Sequence, residues 1–353
     1  MKCVDWIISE FLKNGVSWVV FCGDLFNSRY SINVNTLNIG IGIVQKLASK
    51  FEKVVLIEGN HDTYYKNSNS VNSISFMSDI SQSDSVVIVD EAPKYAENGG
   101  KTIGFYPWGT TLEDASEEVP DYGFGHFEFN GAELVGSISS GCKMDLEDLF
   151  VFGKKLFSGH YHKPRPYVTS KRKTLEMVGS PLQLNWGDYG QDKRVMLLDV
   201  DTGETEDLID SECAVFSKVY YSSFKEKKYD KSSLASLCTG NFVKFVVDMQ
   251  YSFEDILKCS DIIKKLSPAS LEFEYLISVA DKDAKECGEE MSSCKSKQND
   301  EYLMTYIDSV FGEYAKADSS LNLEDLKKMA SDYFRKAMQP VDEREDVVLE
   351  DEH

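Results

Sequence analysis

The sequence predicts an α/β protein in which two β-sheets pack face to face between layers of helices, a four-layer αββα sandwich. Three observations lead to this prediction. The first 62 residues alternate helix, strand, helix and strand, which is the βαβ rhythm of a parallel, helix-covered sheet. After Ser70 the chain changes to short apolar runs, which indicate a second sheet packed on the first. A further compact α/β pattern near residues 215–279 indicates a small additional domain.

The first elements are an amphipathic helix and a βαβ unit. Apolar residues recur at helical spacing from Cys3 to Leu12, and Asn14-Gly15 closes that helix. Ser17–Cys22 is rich in aromatic and β-branched residues, so it is predicted to be a strand. The same reasoning predicts a helix over Asn33–Phe51 and a strand over Val54–Ile57.

The second sheet is predicted from six short strands. They are Ser85–Val89, Thr102–Tyr106, Gly123–Glu128, Lys155–Ser158, Thr174–Val178 and Arg194–Asp199. Around Asp201–Asp210 the composition shifts to acidic turn residues. Residues 1–210 are therefore predicted to form the first domain.

A smaller domain is predicted over residues 211–282. Its strands are expected near Val215–Tyr221, Phe242–Asp248 and Glu272–Val279, with a helix near Tyr251–Leu266. The pattern of strands separated by a helix is typical of a compact α/β unit.

The last part of the chain is predicted to be a linker, a helix pair and a tail. Residues 283–300 are polar, and residues 301–340 contain two amphipathic helices, Tyr302–Tyr314 and Leu323–Met338. Two short helices bury little apolar surface alone, so they are expected to dock on a partner or, alternatively, on their own body. The acidic tail 341–353 is predicted to be disordered.

Composition narrows the function classes. The formal charge of −21 argues against a free-standing nucleic-acid-binding protein with a broad basic face, but not against a DNA enzyme neutralised by metal ions or a partner. Eight cysteines occur without a C-x-x-C pair, which indicates reduced thiols rather than a disulfide framework or a zinc ribbon. No apolar run is long enough to span a membrane and the first helix is charged, so a cytoplasmic protein is expected.

Four of the five histidines lie in three short clusters that begin with glycine, each after an apolar, β-rich run. Imidazole is the commonest neutral metal ligand, and glycine permits a sharp turn at a strand end. The clusters therefore predict one metal centre built from several strand ends. They are Gly59-Asn60-His61-Asp62, Gly125-His126-Phe127-Glu128 and Gly159-His160-Tyr161-His162.

The residue types at these strand ends suit two divalent cations. Asp24, after Gly23, can bridge two ions, and Asn60 offers a carbonyl oxygen. Residues i and i+2 of an extended segment point to the same side, so His160 and His162 can both bind at the same metal centre. Mixed oxygen and nitrogen ligands favour Mn²⁺, Fe²⁺ or Zn²⁺.

His61 is predicted to protonate a leaving-group oxygen, with Asp62 fixing its orientation and raising its pKa. Each motif alone has a simpler interpretation, since a Gly-Asp pair is usually only a turn. Their order along the chain, each at a strand end, makes coincidence improbable.

In this order the motifs resemble those of the calcineurin-like metallophosphoesterases. Within that superfamily the chain is similar to the SbcD-type nuclease subunits, those of T-even phages in particular. Further similarity lies at Phe105-Tyr106-Pro107-Trp108 and Val178-Gly179-Ser180-Pro181. The resemblance implies two divalent metal ions, Mn²⁺ first among them, bridged by Asp24. The ligand sets it implies are Asn60, His126 and His160 for one ion and His162 for the other, with His61 as the catalytic histidine.

One departure from the family pattern affects the second metal. The family begins with a strand ending in Asp-x-His, and no such motif precedes Asp24, which leaves that ion only Asp24 and His162. A reading frame that starts too late is the favoured explanation, because every later motif is intact. A separately encoded piece and a degenerate, weakly active copy are the alternatives.

The resemblance implies a metal-dependent DNA nuclease, exonuclease and endonuclease, acting in phage recombination, repair and replication in the host cytoplasm. It also implies that residues 211–282 form a capping, DNA-binding-type domain. Residues 301–340 would bind the coiled coil of an SbcC-type ABC ATPase, with a homodimer of this chain inside a heterotetramer on DNA. Two other hypotheses stay open: a catalytically impaired scaffold that binds the ATPase, and a phosphoesterase acting on substrates other than DNA.

Overall fold

The computed structural model describes residues 2–65, 68–81, 83–132, 144–251, 253–276 and 328. The chain divides into two compact units, Met1–Leu276 and Ile277–His353. The predicted linker 283–300, helix pair 301–340 and tail 341–353 lie outside the described residues, apart from residue 328. Among the described helices none has the length and apolarity needed to cross a membrane.

The first unit contains six α-helices and sixteen strands among its described residues. The helices are α1 Lys2–Lys13, α2 Val34–Ala48, α3 Met77–Ser81, α4 Tyr221–Lys225, α5 Lys231–Cys238 and α6 Phe253–Lys264. The first eight strands are β1 Trp18–Phe21, β2 Lys53–Ile57, β3 Thr63–Tyr65, β4 Ser68–Asn72, β5 Val86–Val89, β6 Lys94–Asn98, β7 Lys101–Tyr106 and β8 Tyr122–Gly125. The others are β9 Lys155–Ser158, β10 Arg165–Val168, β11 Thr174–Met177, β12 Val195–Leu198, β13 Thr205–Leu208, β14 Phe216–Tyr220, β15 Phe242–Val247 and β16 Ser270–Tyr275.

A parallel sheet of order β1-β2-β5 lies under the first three helices. Successive side chains of a strand point to opposite faces. In β2, Val54 and Leu56 pack with α1 and α2, whereas Val55 and Ile57 pack toward the second sheet. Both faces are apolar, as expected for a buried parallel strand. The strand predicted at Ser85–Val89 belongs to this sheet as β5, so its assignment to the second sheet was wrong.

The second sheet has the order β10-β11-β9-β8-β7-β6, with parallel inner strands and an antiparallel strand at each edge. Phe105 and Phe157 face the first sheet, and Leu156 faces away from it. The outer face is covered by a 3₁₀-helix, Asp148–Val151, and by loops around Phe129. The fold is thus an α/β sandwich as predicted, but within the described residues no α-helix forms the fourth layer.

The strand predicted over Arg194–Asp199 was also placed in the wrong sheet. It is β12, which pairs with β13 in a separate hairpin. Val195 and Leu197 pack with the helical layer, whereas Met196 and Leu198 pack in the layer between the sheets. Because its side chains reach both layers, the hairpin lies at the level of the first sheet.

A third, parallel sheet of order β14-β15-β16 forms the small α/β region, with its own core against α4, α5 and α6. The main-chain N–H of Phe216 donates to Gln183 Oε1 at 2.8 Å. Trp186 Nε1 donates to Glu272 Oε2 at 2.9 Å, and Lys244 lies 4.2 Å from the Trp186 ring. These contacts fix the third sheet against the loop after β11.

Candidate metal centre

Four strands of the first and second sheets end at the same place. Asp24 follows β1, Asn60 follows β2, His126 follows β8 and His160 follows β9. The carboxyl ends of parallel strands lie at one edge of a sheet, and here the corresponding edges of two packed sheets meet. Residues far apart along the chain are thereby brought within hydrogen-bonding distance.

Two glycines make this meeting possible. Gly23 has a φ of +96°, a left-handed conformation, and a Cβ there would overlap the His126 ring. A Cβ at Gly159 would overlap the Cys22 carbonyl oxygen. The ends of the two sheets are therefore in main-chain contact, and any larger residue would force them apart.

The side chains after these glycines surround one oxygen atom. Asn60 Oδ1 lies 3.0 Å from His126 Nε2 and 3.0 Å from His160 Nδ1. Asp24 Oδ2 lies 3.3 Å from the same His126 nitrogen. A half-buried Trp108 borders the group, with its ring centroid 5.1 Å from that of His160.

The protonation pattern of this group calls for a cation. His126 Nδ1 lies 2.7 Å from the Cys22 carbonyl oxygen, to which it donates. A neutral His126 ring therefore presents an unprotonated Nε2 to two oxygen acceptors, those of Asn60 and Asp24. Lone pairs that face one another repel unless positive charge lies between them. The set of two oxygens and two imidazoles fits a divalent ion such as Mn²⁺, Fe²⁺ or Zn²⁺.

The electrostatics of the group agree with this fit. Burial lowers the pKa of His160 to about 3, and the neighbouring His126 adds to the effect, so the ring is a neutral potential ligand. Burial raises the pKa of Asp24, but the adjacent His126 ring and the hydrogen bond from the His61 main chain outweigh it. The net pKa of Asp24 lies below its ordinary value, and the carboxylate is ionised.

Asp62 has a different role from the predicted one. Its carboxylate is buried and accepts the main-chain N–H groups of Gly59, Asp24, Leu25 and Phe26 and the Ser73 hydroxyl. It therefore fixes the loop after β1 and does not orient His61. Burial raises its pKa, although the main-chain donors oppose that shift.

His61 is oriented by the main chain instead. Its Nδ1 lies 2.8 Å from the Asn27 carbonyl oxygen, to which it donates, and this leaves Nε2 available. The His61 N–H donates to Asp24 Oδ1 at 2.8 Å, which holds that carboxylate in place.

His162 is not brought into the group. Its carbonyl oxygen accepts from the Ser180 N–H at 3.1 Å and from Lys193 Nζ at 2.7 Å, so its main chain is fixed. The side chain is exposed. In the part of the chain that the structure describes, no hydrogen bond links the His162 ring to Asp24 or His160.

Two residues at the site had no role in the sequence prediction. Arg29 is half-buried and donates from Nη2 to the Asn60 carbonyl oxygen at 2.6 Å. Glu58, directly before Gly59, is fully buried. Burial, with nearby carboxylates such as Asp90, raises the pKa of Glu58 to about 9. The position of Arg29, in the loop after Gly23-Asp24, could have indicated a role at the site. Glu58 could not have been recognised in this way, because a polar residue at the end of an apolar strand is common.

Comparison with known proteins agrees with this geometry. Residues 2–164 match the sequence profile of the calcineurin-like phosphoesterase family. Exonuclease subunit 1 of Enterobacteria phage T4 is 28% identical over 201 residues, 55% of this chain and 56% of that protein. A protein of Invertebrate iridescent virus 3, named as a phosphoesterase, is 29% identical over 146 residues, 39% of this chain and 41% of that protein.

The chain thus spans about half the length of the curated relatives it matches. The solved structure of Vps29 from Entamoeba histolytica is 14% identical to this chain, covers 53% of this chain and 88% of that one, and has a TM-score of 0.26. The profile match covers every strand end described above, from Asp24 to His160. Residues 2–164 are therefore a calcineurin-like phosphoesterase domain.

Proposed function

We propose that this chain is a metal-dependent phosphodiesterase that cuts DNA. The observation that carries the proposal is the convergence of Asp24, Asn60, His126 and His160 around one point, inside a domain of a phosphoesterase family. Such a group fits a divalent ion, and family members hydrolyse phosphoesters with divalent ions. The resemblance to a phage exonuclease subunit favours DNA as the substrate.

Each residue has a task in this proposal. Bound divalent ions, Mn²⁺ first among those to test, would polarise the phosphoryl group and activate a water. His160 and His126 would hold an ion with Asn60 and Asp24. Asp24 and His162 would be the residues that serve a second ion, although the His162 ring makes no hydrogen bond to this group among the described residues. The His61 N–H fixes the Asp24 carboxylate.

His61 would supply the proton for the leaving oxygen. Its Nδ1 proton is held by the Asn27 carbonyl oxygen, so a protonated ring carries the transferable proton at Nε2. The His61 ring is thus oriented without a carboxylate partner. Asp62 instead accepts hydrogen bonds from the main chain of the loop after β1.

Two neighbours support a nucleic-acid substrate. Arg29 is anchored through one guanidinium nitrogen to the Asn60 carbonyl, and its other N–H groups suit a phosphate. Trp108 is half-buried beside His160, where an exposed ring face could stack on a base. The overall charge of −21 disfavours binding to the negatively charged DNA backbone. A partner protein would therefore supply most of the contacts that bind DNA.

We extend the proposal to a complex. The phage relative is named as a subunit, and the resemblance implies an SbcC-type ATPase bound through residues 301–340, with two copies of this chain in a heterotetramer. Co-purification with such an ATPase tests this step. Substitution of Leu303 and Tyr306 by aspartate should abolish it, while the same change at two tail residues should not. Unchanged binding in the helix variants would contradict the proposed contact.

The central experiment compares two substrates and several metals. The purified chain is incubated with linear duplex DNA and with bis-p-nitrophenyl phosphate, each with Mn²⁺, Mg²⁺, Zn²⁺ or a chelator. We expect Mn²⁺-dependent hydrolysis of both, lost with the chelator and in His126→Ala. No metal-dependent hydrolysis of either substrate would overturn the proposal.

A phosphoesterase acting on other substrates is the second candidate. The strongly acidic composition and the viral relative named simply as a phosphoesterase favour it. The same experiment separates the two candidates, because hydrolysis of the small ester with intact DNA, even with the ATPase present, would favour the second.

A further inference from the structure

A second cluster of potential metal ligands lies away from the strand ends. Cys3 stands in the first turn of α1, and Asp210 and Cys213 stand between β13 and β14. One ligand atom from each, the two sulfurs and a carboxylate oxygen, all lie within 4.8 Å of one another. The three side chains are half-buried.

Two of these residues are held on a single turn. The Cys213 N–H donates to the Asp210 main-chain oxygen at 3.4 Å, and the Glu212 N–H donates to Asp210 Oδ1 at 3.0 Å. Ligands a few residues apart on a tight turn are typical of protein zinc sites. One carboxylate oxygen of Asp210 lies within reach of both sulfurs.

The elements on both sides of the cluster are anchored. Ile8 and Phe11 of α1 are buried in the core under the first sheet. After the turn, the Val215 N–H donates to Asn241 Oδ1 at 3.1 Å. The three ligands therefore converge from two separately fixed parts of the fold.

The chemistry of the cluster suits a cation better than a disulfide. Burial raises the pKa of Cys3 to about 12, and Cys213 adds to the shift. Burial and the nearby Asp210 carboxylate also raise the pKa of Cys213. A disulfide and a metal ion both need the thiolates, but only a cation would also use the Asp210 carboxylate that lies beside them. A divalent cation would displace the protons and bind all three groups.

We propose that Cys3, Asp210 and Cys213 bind a borderline-soft divalent cation, with Zn²⁺ as the ion to test. Two thiolates and one carboxylate leave a fourth position for water or another ligand. The ion would join α1 to the segment that leads into the third sheet. This site shares no residue with the candidate centre at Asp24, so it is independent of the proposed hydrolysis.

Cobalt provides the first test, because a Co²⁺–thiolate bond gives a near-ultraviolet charge-transfer band that histidine and carboxylate ligands do not give. We expect Co²⁺, added in excess so that the candidate centre at Asp24 is also filled, to produce the band in the reduced chain and Zn²⁺ to remove it. The band should disappear in Cys3→Ser and Cys213→Ser and persist in Cys259→Ser and His160→Ala. A missing band, or one that persists in Cys3→Ser, would overturn the proposal.

A test on the unmodified chain removes any doubt about folding of the variants. Alkylation of each cysteine is followed by mass spectrometry with and without Zn²⁺. At a Zn²⁺ concentration about ten times the dissociation constant, modification of Cys3 and Cys213 should slow about tenfold, and that of Cys259 should not change. Equal rates with and without Zn²⁺, or a Cys3–Cys213 disulfide in the purified chain, would refute the metal site.

Discussion

Asp24 and Asp248 each stand at the carboxyl end of a parallel strand, yet they have different uses. Asp24 lies in a left-handed conformation (φ +59°) and faces His126. Asp248, after β15, accepts from the Ser222 N–H at 2.9 Å and from its hydroxyl at 2.6 Å, at the start of α4. One carboxylate serves a chemical centre and the other caps a short helix.

The difference comes from what lies opposite each strand end. The first sheet meets a second sheet whose strands end at the same edge, and Gly23 and Gly159 permit main-chain contact there. The third sheet has no second sheet opposite its ends within the described residues, and α4 occupies that place. A strand-end aspartate therefore becomes a candidate ligand only where a second set of polar strand ends faces it.

The largest effect should follow from loss of a ligand at the two-sheet edge. In His126→Ala, hydrolysis of bis-p-nitrophenyl phosphate with Mn²⁺ should fall by about 10³-fold, because metal-ion catalysis contributes several kcal/mol. Asp248→Asn is the matched control and should retain activity. Comparable losses in both variants would remove the distinction between the two sheets.

His61 should matter to a degree that depends on the leaving group. DNA cleavage in His61→Ala should fall by about 100-fold, because an alkoxide leaving group needs a proton. Loss of activity toward the p-nitrophenyl ester should be much smaller, since p-nitrophenolate leaves without one. Equal losses for the two substrates would exclude His61 as the proton donor.

Asp62 should contribute to stability through the donors it satisfies. Asp62→Ala would leave main-chain N–H groups of the loop after β1 buried without an acceptor, and should lower the free energy of unfolding by about 3 kcal/mol. Urea unfolding measures this. Asp62→Asn keeps one acceptor oxygen and should lose less, so the reverse ranking would contradict the assigned role.

Glu58 should make stability depend on pH. Its folded-state pKa of about 9 exceeds its ordinary value of 4.5, so the folded chain holds a proton that the unfolded chain has released. The free energy of unfolding should therefore fall as pH rises between these values. Glu58→Gln should match the wild type near about pH 4 and exceed it by roughly 2 kcal/mol near about pH 8. If the stability difference between Glu58→Gln and the wild type did not depend on pH, protonation of Glu58 in the folded chain would not be its cause.

The smallest effect is expected at Asp248. Asp248→Asn keeps one acceptor for Ser222 and should cost about 1 kcal/mol of unfolding free energy or less, with no change in hydrolysis. Urea unfolding and the phosphodiesterase assay check the two parts. A larger loss than that of Asp62→Ala would reverse the comparison.

Sequence patterns predicted the strands that are buried on both faces. β2 and β9 are apolar and bounded by glycine, and their predicted spans agree with the structure to within a residue. The strand predicted to reach Glu128 ends at Gly125, because the chain turns there to bring His126 to the site. Edge strands such as β6 and β13 were missed, since their polar side chains do not differ from those of a loop.

Sheet membership and main-chain contacts could not be predicted in the same way. β5 and β12 have the composition of any buried strand, and only long-range pairing decides which sheet they join. The sequence predicted that Asp24, Asn60, His126 and His160 meet, because each follows a strand and carries a ligand type. It could not predict that the Asn27 carbonyl orients His61, since an acceptor in the main chain is independent of residue type.

The Cys22 carbonyl oxygen touches Gly159 and accepts the His126 Nδ1 proton. A peptide oxygen is present whatever side chain position 22 carries, so substitution there leaves the histidine tautomer in place. The same atom would transmit a small shift between the sheets directly to the imidazole. Substitutions in the core that shift one sheet against the other could therefore change which ion the centre prefers, while every ligand residue stays the same.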